Sequence, residues 1–147
     1  MFFRDEADVR MIKNRVALRE MKDRLTDFFS GRPEILFSWL FGSLAEGKDN
    51  MYSDVDIAVY VANPMLLHNV DWYLELKTEL MRLTRHEVDL VLLNTAFPIV
   101  KHAANMHKVV LFSRDEQFEA EYSLQIIKEY NDVRYWANRS RKYLLER

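Results

Sequence analysis

The chain has 147 residues, of which 49% are hydrophobic and 30% are charged, and its formal net charge is −2. This composition favours one folded domain with a substantial core and excludes a wholly disordered chain. Acids and bases are interspersed, cysteine is absent, and no apolar run approaches the roughly 20 residues of a membrane span. We therefore expect a cytoplasmic protein with no disulfides, no membrane contact and no direct nucleic-acid binding.

Hydrophobic periodicity predicts five helices and four strands. The first helix is predicted at about residues 5–29, because apolar side chains recur there at helical spacing and Gly31 and Pro33 follow. In chain order there follow a strand at 35–41, a short helix from 43, a loop at 47–52, a strand at 53–61, a helix at 71–83, a strand at 88–93, a helix at 98–106, a strand at 109–112 and a helix at about 116–145. This order predicts an α/β (α+β) fold in which helices flank a small mixed sheet, as one domain over residues 1–147.

Two aspartates open the clearest strand. Asp54 and Asp56 are two residues apart, so both carboxylates project from the same face of that strand. Carboxylates held so close repel each other unless a cation lies between them, and aspartate oxygens favour hard cations such as Mg²⁺. If the strand that contains Asp89 runs alongside, it adds a third carboxylate. Three such groups predict a site for two Mg²⁺ ions, one at an attacking hydroxyl and one at a triphosphate.

A Gly-Ser pair, Gly42-Ser43, follows the preceding strand. Glycine lets the backbone approach a phosphate, the short helix behind it offers N–H groups, and the serine hydroxyl adds a donor. Paired acids or a Gly-Ser turn are each common on their own. The ordered combination of strand, Gly-Ser, short helix, loop and acidic strand is far more specific, and it predicts nucleotidyl transfer.

These residues resemble the signature of the nucleotidyltransferase superfamily that includes DNA polymerase β. The resemblance is to its minimal branch, the small bacterial and archaeal MNT proteins, and it covers about residues 30–115. It implies a polymerase β-like fold that binds ATP with Mg²⁺. By this resemblance Asp54 and Asp56 would bind both ions, and Asp89 would bind the catalytic ion and help deprotonate the acceptor. Gly42 and Ser43 would hold the triphosphate.

Many minimal members are antitoxins paired with a HEPN-domain ribonuclease toxin. The resemblance implies the antitoxin of a type VII-like system, which forms a hetero-oligomer with the toxin and transfers AMP from ATP to one of its tyrosines. Two alternatives stay open. One is nucleotide transfer to a small molecule such as an aminoglycoside, which usually requires a further helical domain. The other is a non-catalytic antitoxin that acts by binding alone, for which three acids would have no purpose.

Two further features bear on these hypotheses. Many relatives carry a glycine before the last strand, where this chain has His107-Lys108. The last helix is rich in aromatic residues, and we expect core packing to account for most of them and a partner interface for the rest. The aromatic residues concerned are Tyr122, Tyr130, Tyr135, Trp136 and Tyr143.

Overall fold

The computed structural model describes residues 6–47 and 54–145. Its elements are α1 (Glu6–Ser30), β1 (Ile35–Phe41), α2 (Gly42–Ala45), β2 (Val55–Val61), a 3₁₀ turn (Pro64–His68), α3 (Val70–Thr84), β3 (Val88–Leu92), α4 (Pro98–Asn105), β4 (Val109–Ser113) and α5 (Glu116–Leu145). The bounds agree with the predicted elements to within two residues. Most of the predicted loop at 47–52, and the predicted strand start at 53, lie outside the described residues.

The four strands form one mixed sheet in the order β3-β2-β1-β4. Strand β1 lies in the middle and pairs antiparallel with both β2 and β4, whereas β2 and β3 run parallel. Helix α3 makes the crossover that a parallel pair requires. The helices flanking this sheet confirm the predicted fold class.

Helices cover both faces of the sheet, because side chains alternate along β2. Val55, Ile57 and Val59 point to one face, where α1 and α3 contribute Leu25, Phe29, Leu76 and Leu80 to the core. Ala58 belongs to the opposite cluster, whose buried members are Phe37, Trp39, Ala58, Leu93, Ala104 and Ile126. Each large apolar side chain buried in this way contributes about 1.5–3 kcal/mol. The same alternation puts Asp56 on the face covered by α4 and α5.

A buried polar contact fixes the start of α5 on that second face. The indole Nε1 of Trp39 donates to Glu119 Oε2 at 2.7 Å, and Glu119 is only 9% exposed. The Lys108 ammonium lies 3.9 Å from the centre of the Trp39 ring and donates to Asn105 Oδ1 at 2.6 Å. Burial lowers the pKa of Lys108, and the charge of Glu119 partly opposes that shift. These contacts tie α5 to β1 and to the turn before β4.

The second half of α5 extends past the sheet. Tyr122 and Tyr130 are partly buried, whereas every described residue from 131 to 145 is exposed. Tyr135, Trp136 and Tyr143 are 57%, 60% and 63% exposed, so the expectation that core packing accounts for most of the aromatics is wrong. The reason is length, because a 30-residue helix spans about 45 Å and outreaches the sheet beneath it. In the described part of the chain, no helix is long and apolar enough to cross a membrane.

Candidate active site

The acidic residues lie at one end of the sheet. Parallel pairing of β2 with β3 places Asp89 directly opposite Asp56. The Val55 amide donates to the Glu87 carbonyl at 2.9 Å and starts this pairing. Neighbouring strands lie about 4.8 Å apart, so the two carboxylates leave adjacent strands at the same level. Asp54 is exposed and immediately precedes β2.

The Gly-Ser turn lies against this carboxylate pair. Phe41, the last residue of β1, pairs with Asp56, and Gly42 follows with a φ of +75°. A Cβ atom on Gly42 would overlap Asp56 Oδ2 and would lie 3.0 Å from Asp56 Cγ. The position therefore requires glycine for two reasons, the left-handed backbone and the close approach of the aspartate. Ser43 is partly buried in α2 directly behind it.

The electrostatics of Asp56 show that the acids act on one another. Burial raises the pKa of Asp56 most, and the charges of Asp89 and then Asp54 raise it further. The ionised form of Asp56 is thus disfavoured by the described residues around it, none of which lowers this pKa. A cation bound beside Asp56 would remove this penalty. A pKa perturbed by burial together with neighbouring charges is a feature of functional sites.

The donor set fits Mg²⁺ bound together with a phosphate. Within residues 6–47 and 54–145, no three carboxylate or imidazole groups converge closely enough to form a complete protein metal site. Mg²⁺ seldom needs one, because it is usually held by one or two carboxylates together with waters and substrate phosphates. The opposed pair Asp56 and Asp89 supplies two such carboxylates, and Gly42 leaves the space beside them clear of a side chain.

Comparison with known proteins identifies the family of the chain. A family profile described as polymerase beta, nucleotidyltransferase matches residues 23–117. The chain belongs to this family. No curated protein matches this nucleotidyltransferase significantly.

Several solved structures resemble the nucleotidyltransferase. One is a toxin–antitoxin complex with AMP-PNP, with 22% identity and a TM-score of 0.70, covering 84% of this chain and 98% of that chain. Another is the tri-AMPylated Shewanella oneidensis HEPN toxin in complex with an MNT antitoxin, with 22% identity and a TM-score of 0.62, covering 90% and 98%. A third is the toxin–antitoxin MntA–HepT, with 21% identity and a TM-score of 0.63, covering 89% and 98%. At these identities the likeness shows a shared fold.

Sequence reasoning did not place the His107 turn at this site. His107 adopts a φ of +55°, and its Nε2 lies 3.9 Å from Oε1 of Glu46, the residue that ends α2. The turn before β4 of the nucleotidyltransferase therefore borders the Gly-Ser helix. The signal in the sequence was His107-Lys108 itself, at a position where the family resemblance leads us to expect glycine. Histidine is among the side chains that enter the left-handed region more readily than most.

A large groove lies at the other end of the same sheet face. Its volume is about 890 Å³, and Tyr60, Leu67, Ile126 and Trp136 are among its lining residues. Tyr60 stands four residues beyond Asp56 on β2, which separates their Cα atoms by about 13 Å. The groove is thus distinct from the acidic end of the nucleotidyltransferase. The shape of the groove depends on how α5 crosses the sheet, and hydrophobic periodicity does not specify that crossing.

Proposed function

We propose that this nucleotidyltransferase is the antitoxin of a HEPN/MNT pair and transfers AMP from ATP to a tyrosine of the HEPN toxin. The observation that carries the proposal is the opposed pair Asp56 and Asp89 with Gly42 held against it. Membership of the nucleotidyltransferase family supports it. So do the similar structures, one holding AMP-PNP and another an AMPylated HEPN toxin. Residues 1–147 would act as a single domain within a hetero-oligomer with the toxin.

The proposed reaction is a displacement at the α-phosphorus of ATP. The tyrosine oxygen forms a new bond to this phosphorus, the bond to the bridging oxygen of pyrophosphate breaks, and pyrophosphate leaves. The tyrosine proton passes to a carboxylate oxygen of Asp89, which lies opposite Asp56 and is exposed enough to meet an incoming side chain. Attack by a protein hydroxyl needs no residue of this chain as a nucleophile.

Asp54 and Asp56 would hold Mg²⁺, with Asp89 contributing to the catalytic ion. Bound Mg²⁺ would neutralise the triphosphate and lower the pKa of the attacking hydroxyl. Gly42 and Ser43 would hold the triphosphate through backbone N–H groups and the serine hydroxyl. The raised pKa of Asp56 supports this assignment, because a site with excess negative charge gains most from a bound cation.

The test combines the purified chain with labelled ATP, MgCl₂ and the HEPN-domain protein encoded by the adjacent gene. We expect label on a tyrosine of the HEPN protein, and a rate at least about 100-fold lower for Asp54→Asn and for Asp56→Asn. Asp23→Asn is the matched control, because it removes the same charge from an exposed position on α1. A loss of transfer in the control as well would point to a general effect of charge.

The same assay separates the two alternatives. If Asp56→Asn still neutralises the toxin in cells while transferring no AMP, the chain acts by binding alone. If label appears on an added aminoglycoside and never on the HEPN protein, the acceptor is a small molecule. Either result would replace the proposed protein acceptor, whereas tyrosine labelling that depends on Asp54 and Asp56 supports it.

A further inference from the structure

A small basic pocket lies between α1 and α3, which cover the face of the sheet opposite to that of Asp56. Its volume is about 360 Å³, within the range of ligand pockets. The residues that line it are Arg24, Phe28, Glu79, Arg82, Leu83 and Arg85. Three guanidinium groups stand against one carboxylate, so the lining has a net charge of +2. We call this concavity the arginine pocket.

The positive charges of the arginine pocket are only partly compensated within the protein. Glu79 Oε1 accepts a hydrogen bond from the Arg82 guanidinium at 3.1 Å, across one turn of α3. Among the described residues, no carboxylate forms an ion pair with Arg24 or Arg85. The whole chain has a formal net charge of −2, so this excess of positive charge is local. A concave surface lined by charge of one sign attracts ions of the opposite sign.

The floor of the arginine pocket is apolar and held in place. Phe28 and Leu83 are partly buried and pack against the core that α1 and α3 form with the sheet. The Phe28 ring meets the fully buried Phe29 edge-on, with ring centroids 5.3 Å apart and planes at 75°. The three arginines are exposed at the rim above this floor. The pocket therefore suits a ligand that has both an anionic group and an apolar or aromatic body.

The backbone of one of these arginines is unusual for its residue type. Arg85 ends α3 with φ of +57° and ψ of +32°, and its N–H donates to the Met81 carbonyl at 2.9 Å. This left-handed position after a helix favours glycine or asparagine, which enter it more readily than other residues. Strained backbone of this kind clusters at ligand-binding positions. The side chain that is kept here despite the strain lines the arginine pocket.

We propose that the arginine pocket binds a small phosphate monoester of nucleotide size, separately from the ATP at the acidic end of the sheet. Guanidinium groups match phosphate oxygens through paired, charge-assisted hydrogen bonds. A phosphate monoester carries a charge of about −1.5 to −2 at pH 7, which balances the +2 of the lining. The body of the ester lies on Phe28 and Leu83. This site does not depend on which acceptor receives AMP in the proposed function.

The test measures binding of AMP to the full chain by isothermal titration calorimetry, in EDTA so that no Mg²⁺ supports binding at the acidic site. We expect saturable binding, with a Kd for inorganic phosphate at least about tenfold higher than that for AMP. Arg24→Gln and Arg85→Gln should each raise the Kd for AMP about tenfold or more. Arg15→Gln is the matched control, because Arg15 is exposed on α1 outside the pocket, and it should change this Kd less than about twofold. Far-UV circular dichroism of each variant verifies that helix content is kept.

Several outcomes would overturn the inference. No saturable binding at millimolar AMP, or equal Kd values for Arg24→Gln and Arg15→Gln, would show that the arginines form only a solvated surface. Equal Kd values for inorganic phosphate and AMP would show that the apolar floor contributes nothing. A Kd for AMP that Ser43→Ala raises and Arg85→Gln does not would assign the bound AMP to the ATP site. Binding of a single-stranded RNA, but not of AMP, that Arg85→Gln abolishes would assign the pocket to nucleic acid.

Discussion

Gly42 and Gly47 form a matched pair that isolates the contact between the Gly-Ser turn and Asp56. Both glycines have left-handed backbones, with φ of +75° and +73°. Alanine at either position therefore meets the same backbone penalty, about 1–2 kcal/mol. Their surroundings differ, because a Cβ on Gly42 would overlap Asp56 Oδ2, whereas a Cβ on Gly47 has no described atom within 4 Å. Any additional effect at Gly42 is due to Asp56.

The expected magnitudes follow from these contacts. Alanine also restricts the unfolded chain, which offsets about 0.4–1 kcal/mol of the backbone penalty. Gly47→Ala should therefore lower the free energy of unfolding by about 0–1.5 kcal/mol. In Gly42→Ala the Asp56 side chain must also leave its rotamer, which adds about 0.5–1.5 kcal/mol and gives a total of about 0.5–3 kcal/mol. A carboxylate displaced by about 1 Å can lower a rate about 100-fold.

The two variants are compared by urea denaturation and by AMP transfer to the HEPN-domain protein. We expect Gly47→Ala to keep most of the transfer rate and Gly42→Ala to lose about 100-fold. A rate for Gly42→Ala equal to that for Gly47→Ala would show that the position of Asp56 does not control catalysis. Equal losses of stability in the two variants would show that Asp56 moves aside at no cost.

Two further predictions concern single contacts. Because the pKa of Asp56 is raised, the folded state holds that proton more tightly than the unfolded state, and stability falls as pH rises from the usual aspartate value of 3.8 through the raised pKa. Metal-free Asp56→Asn should therefore have a higher Tm than wild type at pH 7 and an equal Tm well below pH 3.8. Adding MgCl₂ should raise the Tm of wild type more than that of Asp56→Asn. A lower Tm for metal-free Asp56→Asn than for wild type at pH 7 would contradict this reasoning. Trp39→Phe removes the donor to Glu119 and should lower the free energy of unfolding by about 1–3 kcal/mol, whereas Trp39→Phe with Glu119→Leu should recover part of the loss in a double-mutant cycle.

Much of the fold could be predicted from the sequence because its elements are locally patterned. Alternation along Val55–Val61 predicts a strand with one buried face, and helical spacing predicts α1, α3 and α5. The extent of burial was not predictable in the same way. The aromatic spacing in α5 is equally regular over Tyr122 and Trp136, yet only the first of these meets the sheet. Periodicity specifies which face of a helix is apolar, and says nothing about how far the opposing surface extends.

In the candidate site, too, local sequence patterns predict some features, whereas others depend on long-range strand pairing. That Asp54 and Asp56 share a face stays a prediction from the two-residue period of a strand, because the structure begins β2 at Val55. That Asp89 lies opposite Asp56 depends on the parallel pairing of β2 with β3, which the helical crossover α3 permits. The contact between Gly42 and Asp56 depends on the register of β1 against β2, a long-range property. His107 could be linked to α2 only after β4 was placed beside β1.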